Sequence, residues 1–123
     1  MRALLERGAA TELVSARDII AGYRQLIARA HRRGIRVIGT TITPFEGRDS
    51  HTPDKEVVRQ AVNSWIRSSA EFDAVVDFDS VLRDPSHPPR LLPAFDSGDH
   101  LHTNDAGYVA MASAIPLALF EGR

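Results

Sequence analysis

The tail of the chain carries an acid and a histidine at a spacing suited to hydrolysis. Asp99 and His102 lie three residues apart in a glycine-flanked loop that runs into an apolar, helix-like segment. A neutral imidazole can take a proton from a hydroxyl nucleophile and return it to a leaving group, while a carboxylate on its other nitrogen fixes the tautomer. We therefore interpret His102 as a candidate general base and Asp99 as the acid that orients it.

The D-x-x-H spacing is weak evidence alone, because it occurs twice in this chain. Asp84 and His87 repeat it, but prolines surround them and no helix follows, so we assign that segment to a surface loop. The tail also allows a metal site, in which Asp99, His100 and His102 would ligate a divalent ion. No further cluster is placed to complete the metal shell, so we favour the acid–base interpretation.

A nucleophile that would complete the site is not evident. Ser97 lies only two residues before Asp99 and does not follow a strand, whereas a nucleophilic serine needs a strand-to-helix turn and reach to the base. The absence of cysteine excludes disulfides, thiolate zinc sites and a cysteine nucleophile. The tail therefore offers the acid–base half of a hydrolytic site without its other half.

Alternating helices and strands must position these residues. Hydrophobic periodicity and capping residues predict three helices and two buried strands, in the order helix 16–33, strand 35–42, helix 53–70, strand 74–78 and a helix from Asp105. Four prolines predict that 79–104 is mostly loop, and Pro116 should kink or end the last helix. We expect Trp65 to lie in the core.

This alternation predicts an α/β layered fold with parallel strands and right-handed crossovers. Ligands bind beyond the carboxyl ends of such strands, which makes Thr43 and Pro44 candidates to line a substrate cleft. Two parallel strands do not make a stable open sheet. We therefore expect 1–123 to be one partial domain, with 1–14 a poorly defined lead, completed by a missing amino-terminal half or by another chain.

Composition limits the function classes. The chain has 123 residues with 15 Lys and Arg against 16 Asp and Glu, so no basic field favours nucleic acid. No apolar run is long enough to span a bilayer, and the first residues do not read as a secretory signal. These features predict no nucleic-acid partner and no membrane span, and they leave the compartment unassigned.

The residues after His102 point to a family. Asn104 and then Gly107-Tyr108 precede the last helix, and this block resembles the carboxyl-terminal block of the SGNH/GDSL-type serine esterase superfamily. Upstream segments such as 21–27, 33–38 and 41–47 are similar to a bacterial branch associated with polysaccharide deacetylation. One departure is Thr103, where the family usually has proline or another apolar residue.

The resemblance implies a fold, an activity and roles. The fold would be the carboxyl-terminal half of a three-layer flavodoxin-like SGNH hydrolase. The activity would be Ser-His-Asp hydrolysis of acyl esters, including small-molecule or carbohydrate acetyl esters, without metal or organic cofactor. His102 matches the family's base, Asp99 its orienting acid, and Asn104 a possible cleft residue; Tyr108 would pack under the loop.

The same resemblance shows what is missing. The family's nucleophilic serine lies in a G-D-S block and an oxyanion donor in a G-x-N-D block, and neither block occurs in the 123 residues. We therefore expect little or no esterase activity from this chain by itself. A non-catalytic remnant, or a subunit completed by another chain, is the alternative; a metal-dependent hydrolase is less favoured. The family is often secreted, which does not fix the compartment here.

Overall fold

A computed structural model describes residues 14–121, so the predicted lead over 1–14 lies outside the described residues except for Val14. The elements follow one another in a mixed helix and strand order. They are α1 (Ala16–Arg32), β1 (Ile38–Thr40), α2 (Pro53–Ser68), β2 (Ala74–Val76), α3 (Phe78–Leu82), β3 (Arg83–Asp84), β4 (His87–Leu91) and α4 (Asp105–Ser113), with 3-10 turns at Pro93–Phe95 and Leu117–Phe120.

β1 and β2 pair in parallel, which confirms the expected α/β class with a parallel sheet. Ile38 lies opposite Ala74 and Thr40 opposite Val76. Both strands are shorter than predicted, because each pairs over only three residues. The carboxyl ends of both strands therefore lie at one edge of this sheet, from which the loops of the candidate site continue.

The predicted helix starts are confirmed by their caps. The Ser15 hydroxyl oxygen accepts a hydrogen bond from the Asp18 N–H at 3.1 Å, and the Thr52 hydroxyl oxygen accepts one from the Lys55 N–H at 3.1 Å. Each bond satisfies a donor that has no partner inside the helix. Gly34, at φ +72°, follows α1 in the left-handed conformation that glycine adopts readily.

The buried face of α2 includes polar side chains. Val57 is 67% exposed, whereas Arg59 and Asn63 are buried. Asn63 accepts a hydrogen bond from the Ile42 N–H at 2.7 Å, and the Ile42 carbonyl accepts bonds from Asn63 and Arg59 at 2.9 Å each. Backbone groups beyond the end of β1 need partners, and these polar side chains supply them.

Trp65, which we expected in the core, is only half-buried. Its ring stacks on Tyr23 with centroids 6.2 Å apart and meets Phe72 edge-on at 5.7 Å. The guanidinium of Arg24 lies 5.5 Å from the indole centroid. Trp65 therefore joins α1 to α2 at the rim of the core.

The proline-rich region is more regular than predicted. α3 follows β2 at once, and β3 pairs with β4 in an antiparallel hairpin through Arg83 opposite Leu91 and Asp84 opposite His87. Two prolines lie in β4, where an edge strand tolerates residues without an N–H. The expectation of loop over 79–104 is wrong for this segment.

α4 ends at Ser113, before Pro116, so the proline lies beyond the helix rather than within it. Tyr108 is 54% exposed, and its predicted place beneath the loop is wrong. Gly107 is buried there instead. Within residues 14–121, no helix combines the length and apolar character needed to cross a bilayer.

Candidate active site

The loop that carries Asp99 and His102 closes on itself at its base. Asp96 and Thr103 form an antiparallel bridge, and the Ser97 N–H donates to the His102 carbonyl at 3.1 Å. The segment between them is thereby held as a compact turn that ends at the start of α4. This closure brings the acid and the histidine together.

Asp99 and His102 form a direct pair, with 2.6 Å between Asp99 Oδ2 and His102 Nδ1. Asp99 Oδ1 accepts the backbone N–H groups of His102 at 2.8 Å and of Leu101 at 2.9 Å. The His102 hydrogen bonds, and next the Leu101 N–H, lower the pKa of Asp99 far below its usual range. An ionised carboxylate only accepts, so Nδ1 carries the proton and Nε2 of neutral His102 has a free lone pair.

Nε2 of His102 is accessible for chemistry. The His102 side chain is 64% exposed, and no hydroxyl group of residues 14–121 is hydrogen-bonded to Nε2. The Ser97 hydroxyl donates instead to Asp99 Oδ1 at 3.0 Å, so it supports the acid and does not face the base. Arg48 lies near the same carboxylate, with 3.8 Å between its Nη1 and Asp99 Oδ2.

The residues after His102 build the junction between loop and helix. Asn104 Oδ1 accepts the Gly107 N–H at 3.0 Å, and Asn104 Nδ2 donates to the Ala94 carbonyl at 2.9 Å. The Thr103 hydroxyl donates to the Phe95 carbonyl at 2.6 Å. A Cβ at position 107 would lie 1.6 Å from Thr103 Oγ1, so only glycine fits there. Asn104 thus has a scaffolding role, and its contact with substrate stays a prediction.

The two cleft candidates after β1 differ in accessibility. Pro44 is less than 2% exposed, and its predicted place in a substrate cleft stays a prediction. Thr43 is half-buried, and its predicted contact with substrate stays a prediction. Beside them, Ile42 and Phe45 contribute to an apolar cavity of about 290 Å³ between α1 and α2.

A second imidazole–carboxylate pair in the loop was not predicted. His100 Nδ1 lies 2.7 Å from Asp96 Oδ2, so His100 and His102 have different carboxylate partners. Within residues 14–121, no three histidine, aspartate or glutamate side chains are grouped closely enough to hold a metal ion. The metal site through Asp99, His100 and His102 therefore has no support in this geometry.

The second D-x-x-H sequence does not form an acid–base pair. His87 is hydrogen-bonded to Glu46, and Asp84 Oδ1 accepts the Ser86 N–H at 2.9 Å. His87 is exposed, as predicted, although it lies in a hairpin strand rather than a loop. The contrast with Asp99 and His102 shows that the turn geometry, not the spacing, makes the pair.

A buried ionic cluster supports the sheet edge beneath these loops. Asp79 is fully buried, and its carboxylate accepts from Arg59 at 2.6 Å, Arg67 at 2.7 Å and Arg83 at 2.9 Å. The Asp79 N–H donates to the Thr41 hydroxyl at 2.8 Å, which joins the end of β1 to α3. We call Asp79 with these three arginines the ionic cluster.

Fold and site together define an α/β protein with an exposed, aspartate-oriented histidine at its carboxyl-terminal loop. The model of the GDSL-like Lipase/Acylhydrolase family matches residues 5–110. The chain belongs to this family, which confirms the resemblance noted from the tail and supports a hydrolase function of the esterase kind. A comparison with curated proteins finds no match.

Proposed function

We propose that the chain supplies the acid–base half of an SGNH-type serine esterase site, with His102 as general base and Asp99 as its orienting acid. The observation that carries the proposal is the 2.6 Å bond from Nδ1 to Asp99, which leaves Nε2 exposed. This is the arrangement that a histidine needs to accept a proton from a hydroxyl nucleophile.

The proposed reaction moves one proton at each stage. Nε2 of His102 takes the proton of a serine hydroxyl as its oxygen attacks the ester carbonyl. The imidazolium then protonates the departing alcohol, which leaves an acyl-serine. A water molecule then gives a proton to Nε2 as its oxygen attacks the acyl group, and the imidazolium returns that proton to the serine oxygen as the acid is released. Asp99 stays ionised and stabilises the imidazolium, as its lowered pKa favours.

We propose acyl esters, and carbohydrate acetyl esters among them, as the substrates. The serine and its oxyanion donors would come from a missing amino-terminal half or from another chain, because the 123 residues contain neither a G-D-S nor a G-x-N-D block. In this proposal, the described residues are the carboxyl-terminal half of a three-layer flavodoxin-like fold. Exposed apolar side chains such as Leu26, Ile35 and Val75 are consistent with missing neighbours.

The test compares the purified chain with a reconstituted complex. The chain alone should neither hydrolyse p-nitrophenyl acetate nor react with a fluorophosphonate, which labels activated serines. Co-expression with an amino-terminal half that carries a G-D-S block should give turnover. His102→Ala should then reduce kcat about 10⁶-fold, since triad members act as a unit.

His31→Ala is the matched control, because His31 also pairs with a surface aspartate, at 2.8 Å from Asp73, outside the loop. It should leave turnover unchanged. Turnover by the chain alone that His102→Ala abolishes would contradict the missing nucleophile. A folded complex without turnover would instead favour the alternative, a non-catalytic remnant or subunit.

A further inference from the structure

The Asp96–His100 pair has the same hydrogen-bond pattern as the pair proposed for catalysis. In both, one carboxylate oxygen accepts from the imidazole Nδ1 and the other accepts from two backbone N–H groups. Asp96 Oδ2 accepts from His100 Nδ1 at 2.7 Å, while Asp96 Oδ1 accepts the N–H groups of His100 at 3.0 Å and Gly98 at 2.8 Å. Because the carboxylate only accepts, Nδ1 carries the proton and Nε2 of neutral His100 is an acceptor that points away from Asp96.

The His100 ring is also held from its other side. His100 has a left-handed backbone with φ +64°, which is uncommon for a residue with a side chain. Gly47, at φ +104°, passes so close that a Cβ there would lie 3.0 Å from His100 Cγ. The loop after β1 and the loop before α4 therefore both contact the imidazole, which is still 48% exposed.

A cavity of about 360 Å³ adjoins this ring. Its polar lining includes His100, Arg90 and Glu46, and Leu91 and Pro93 add apolar surface. Glu46 already accepts a hydrogen bond from Arg90 at 2.8 Å and another from His87. The walls thus combine fixed donors and acceptors with an apolar patch.

The charges of the cavity select among ligand classes. Three carboxylates, those of Glu46, Asp84 and Asp96, line it against one guanidinium, that of Arg90. This excess of carboxylates disfavours anions. Glu46 already accepts from Arg90 and His87, and Asp96 from His100, so these carboxylates have few acceptor positions left for an amine. Neutral molecules with several hydroxyl groups and an apolar face match the lining best.

We propose that this cavity binds the hydroxyl-rich alcohol part of the ester, with a ligand hydroxyl donating to Nε2 of His100 and Arg90 donating to a ligand oxygen. His100 and His102 are two residues apart, so their Cα atoms lie within about 7 Å. A sugar that contacts His100 would therefore lie two residues along the chain from the proposed base. The assignment of this sugar to the ester rests on the proposed function; the binding itself does not.

The experiment is an NMR titration of the full chain carrying His102→Ala, so that no ester chemistry is involved. Cellobiose, xylobiose and diacetylchitobiose are the neutral probes, with glucuronate as an anionic and glucosamine as a cationic probe. We expect at least one neutral disaccharide to give saturable amide shifts at Gly98 and His100, and to bind more tightly than either charged probe.

Two added substitutions test the cavity walls. His100→Gly suits the positive φ and should weaken the neutral disaccharide about tenfold, as should Arg90→Gln on the other wall, since each removes a ligand hydrogen bond. His31→Gln is the matched control and should leave the dissociation constant unchanged. The dispersion of the amide spectrum shows that each variant is folded.

Several results would overturn the proposal. They are the lack of saturable shifts with all three neutral disaccharides, tighter binding of glucuronate or glucosamine, and unchanged affinity in folded His100→Gly and Arg90→Gln. Sugar binding in a protein that proves to have no esterase activity when reconstituted would keep the cavity site and overturn only the proposed function. Failure of the sugar-binding proposal and failure of the proposed esterase function therefore give different results.

Discussion

At the scale of single residues, the nitrogen that each histidine offers to a carboxylate decides what the ring can do. His100 and His102 both bind aspartate through Nδ1, whereas His31 binds Asp73 through Nε2. The loop histidines consequently keep Nε2 as a free acceptor, and His31 does not. This difference separates a histidine prepared for proton transfer from one that only joins two surface elements.

The tautomers give the first prediction. At a pH where the rings are neutral, side-chain ¹⁵N NMR should show the Nδ1–H tautomer for His100 and His102 and the Nε2–H tautomer for His31. Asp99→Ala should shift His102 toward the Nε2–H tautomer that free histidine favours, and leave His100 unchanged. A His102 that already has the Nε2–H tautomer in the unsubstituted chain would contradict the proposed base.

The sequence predicts the Asp99–His102 pair better than the Asp96–His100 pair, because the first depends on residues that are close together in the chain. Asp99 and His102 are joined through one turn, so their spacing and the downstream Asn104 and Gly107 were sufficient. The Asp96–His100 pair depends on a left-handed backbone at a histidine, which side-chain types do not reveal. The burial of Pro44 likewise could not be predicted, because it depends on packing with residues distant in sequence.

At the scale of elements, the junction between the loop and α4 depends on a close approach. Gly107 is buried in the first turn of α4, and its missing side chain leaves room for the Thr103 hydroxyl that bonds to Phe95. The helix start and the loop that carries His102 therefore share one packing contact. A side chain at position 107 must disturb both.

Gly107→Ala gives the second prediction. The new methyl group would overlap Thr103 Oγ1 at 1.6 Å, and overpacking of this kind costs about 1–3 kcal/mol. Urea unfolding should show this loss of stability. Gly22→Ala is the matched control: no atom lies within 4 Å of its Cβ position in α1, so it should stabilise by about 0.5–1 kcal/mol. Equal effects at both glycines would contradict the close-packed junction.

Helices were more predictable than the segments between them. Capping residues are local signals, and they placed the starts of α1 and α2 correctly at Ser15 and Thr52. The hairpin of β3 and β4 was missed because prolines argue against strands, although an edge strand tolerates them. The polar buried face of α2 was missed because Asn63 and Arg59 serve backbone groups of Ile42, far away in sequence.

At the scale of the whole molecule, the ionic cluster connects the sheet edge to α2, α3 and β3. Asp79 lies in α3, is fully buried, and accepts from Arg59 and Arg67 of α2 and from Arg83 of β3. Removing one partner from such a cluster leaves charges uncompensated. The cluster therefore joins the elements beneath the site. The pattern of apolar residues in the sequence does not predict such a cluster.

Asp79→Asn gives the third prediction. Loss of this carboxylate should cost about 3–5 kcal/mol, because buried Arg59 loses one of its two carboxylate partners and keeps only Glu56. Urea unfolding of the purified chain measures the change in the free energy of unfolding. Asp49→Asn on the exposed loop is the matched control and should change it by less than about 0.5 kcal/mol. Similar losses at both positions would contradict the cluster's role.

Acid stability gives the fourth prediction, through Asp77. Burial raises the pKa of this carboxyl, but hydrogen bonds from Arg67 and Thr41, each at 2.8 Å, outweigh it and set the pKa at about 2 against an ordinary 3.8. A lowered folded-state pKa gives stability that is complete above the unfolded value and is lost as pH falls through the folded one.

Asp77→Asn should therefore destabilise the chain by about 1–2 kcal/mol at neutral pH, with allowance for partial exposure. The stability difference between the variant and the unsubstituted chain should shrink as pH falls from about 4 to about 2. Thermal unfolding over that pH range measures the trend. A difference that grows with acid would contradict the assigned direction.

Because the loop from Asp96 to Thr103 is closed at its base, the acid–base half of the site could be transferred to another protein as one segment. Asp99 accepts hydrogen bonds from Ser97, Leu101 and His102, all within the same turn. The geometry of the Asp99–His102 pair is therefore determined by residues that are close together in sequence. Grafted with the Thr103 and Gly107 junction onto another helix start, the segment should carry its oriented imidazole with it, independently of the scaffold that donates the nucleophile.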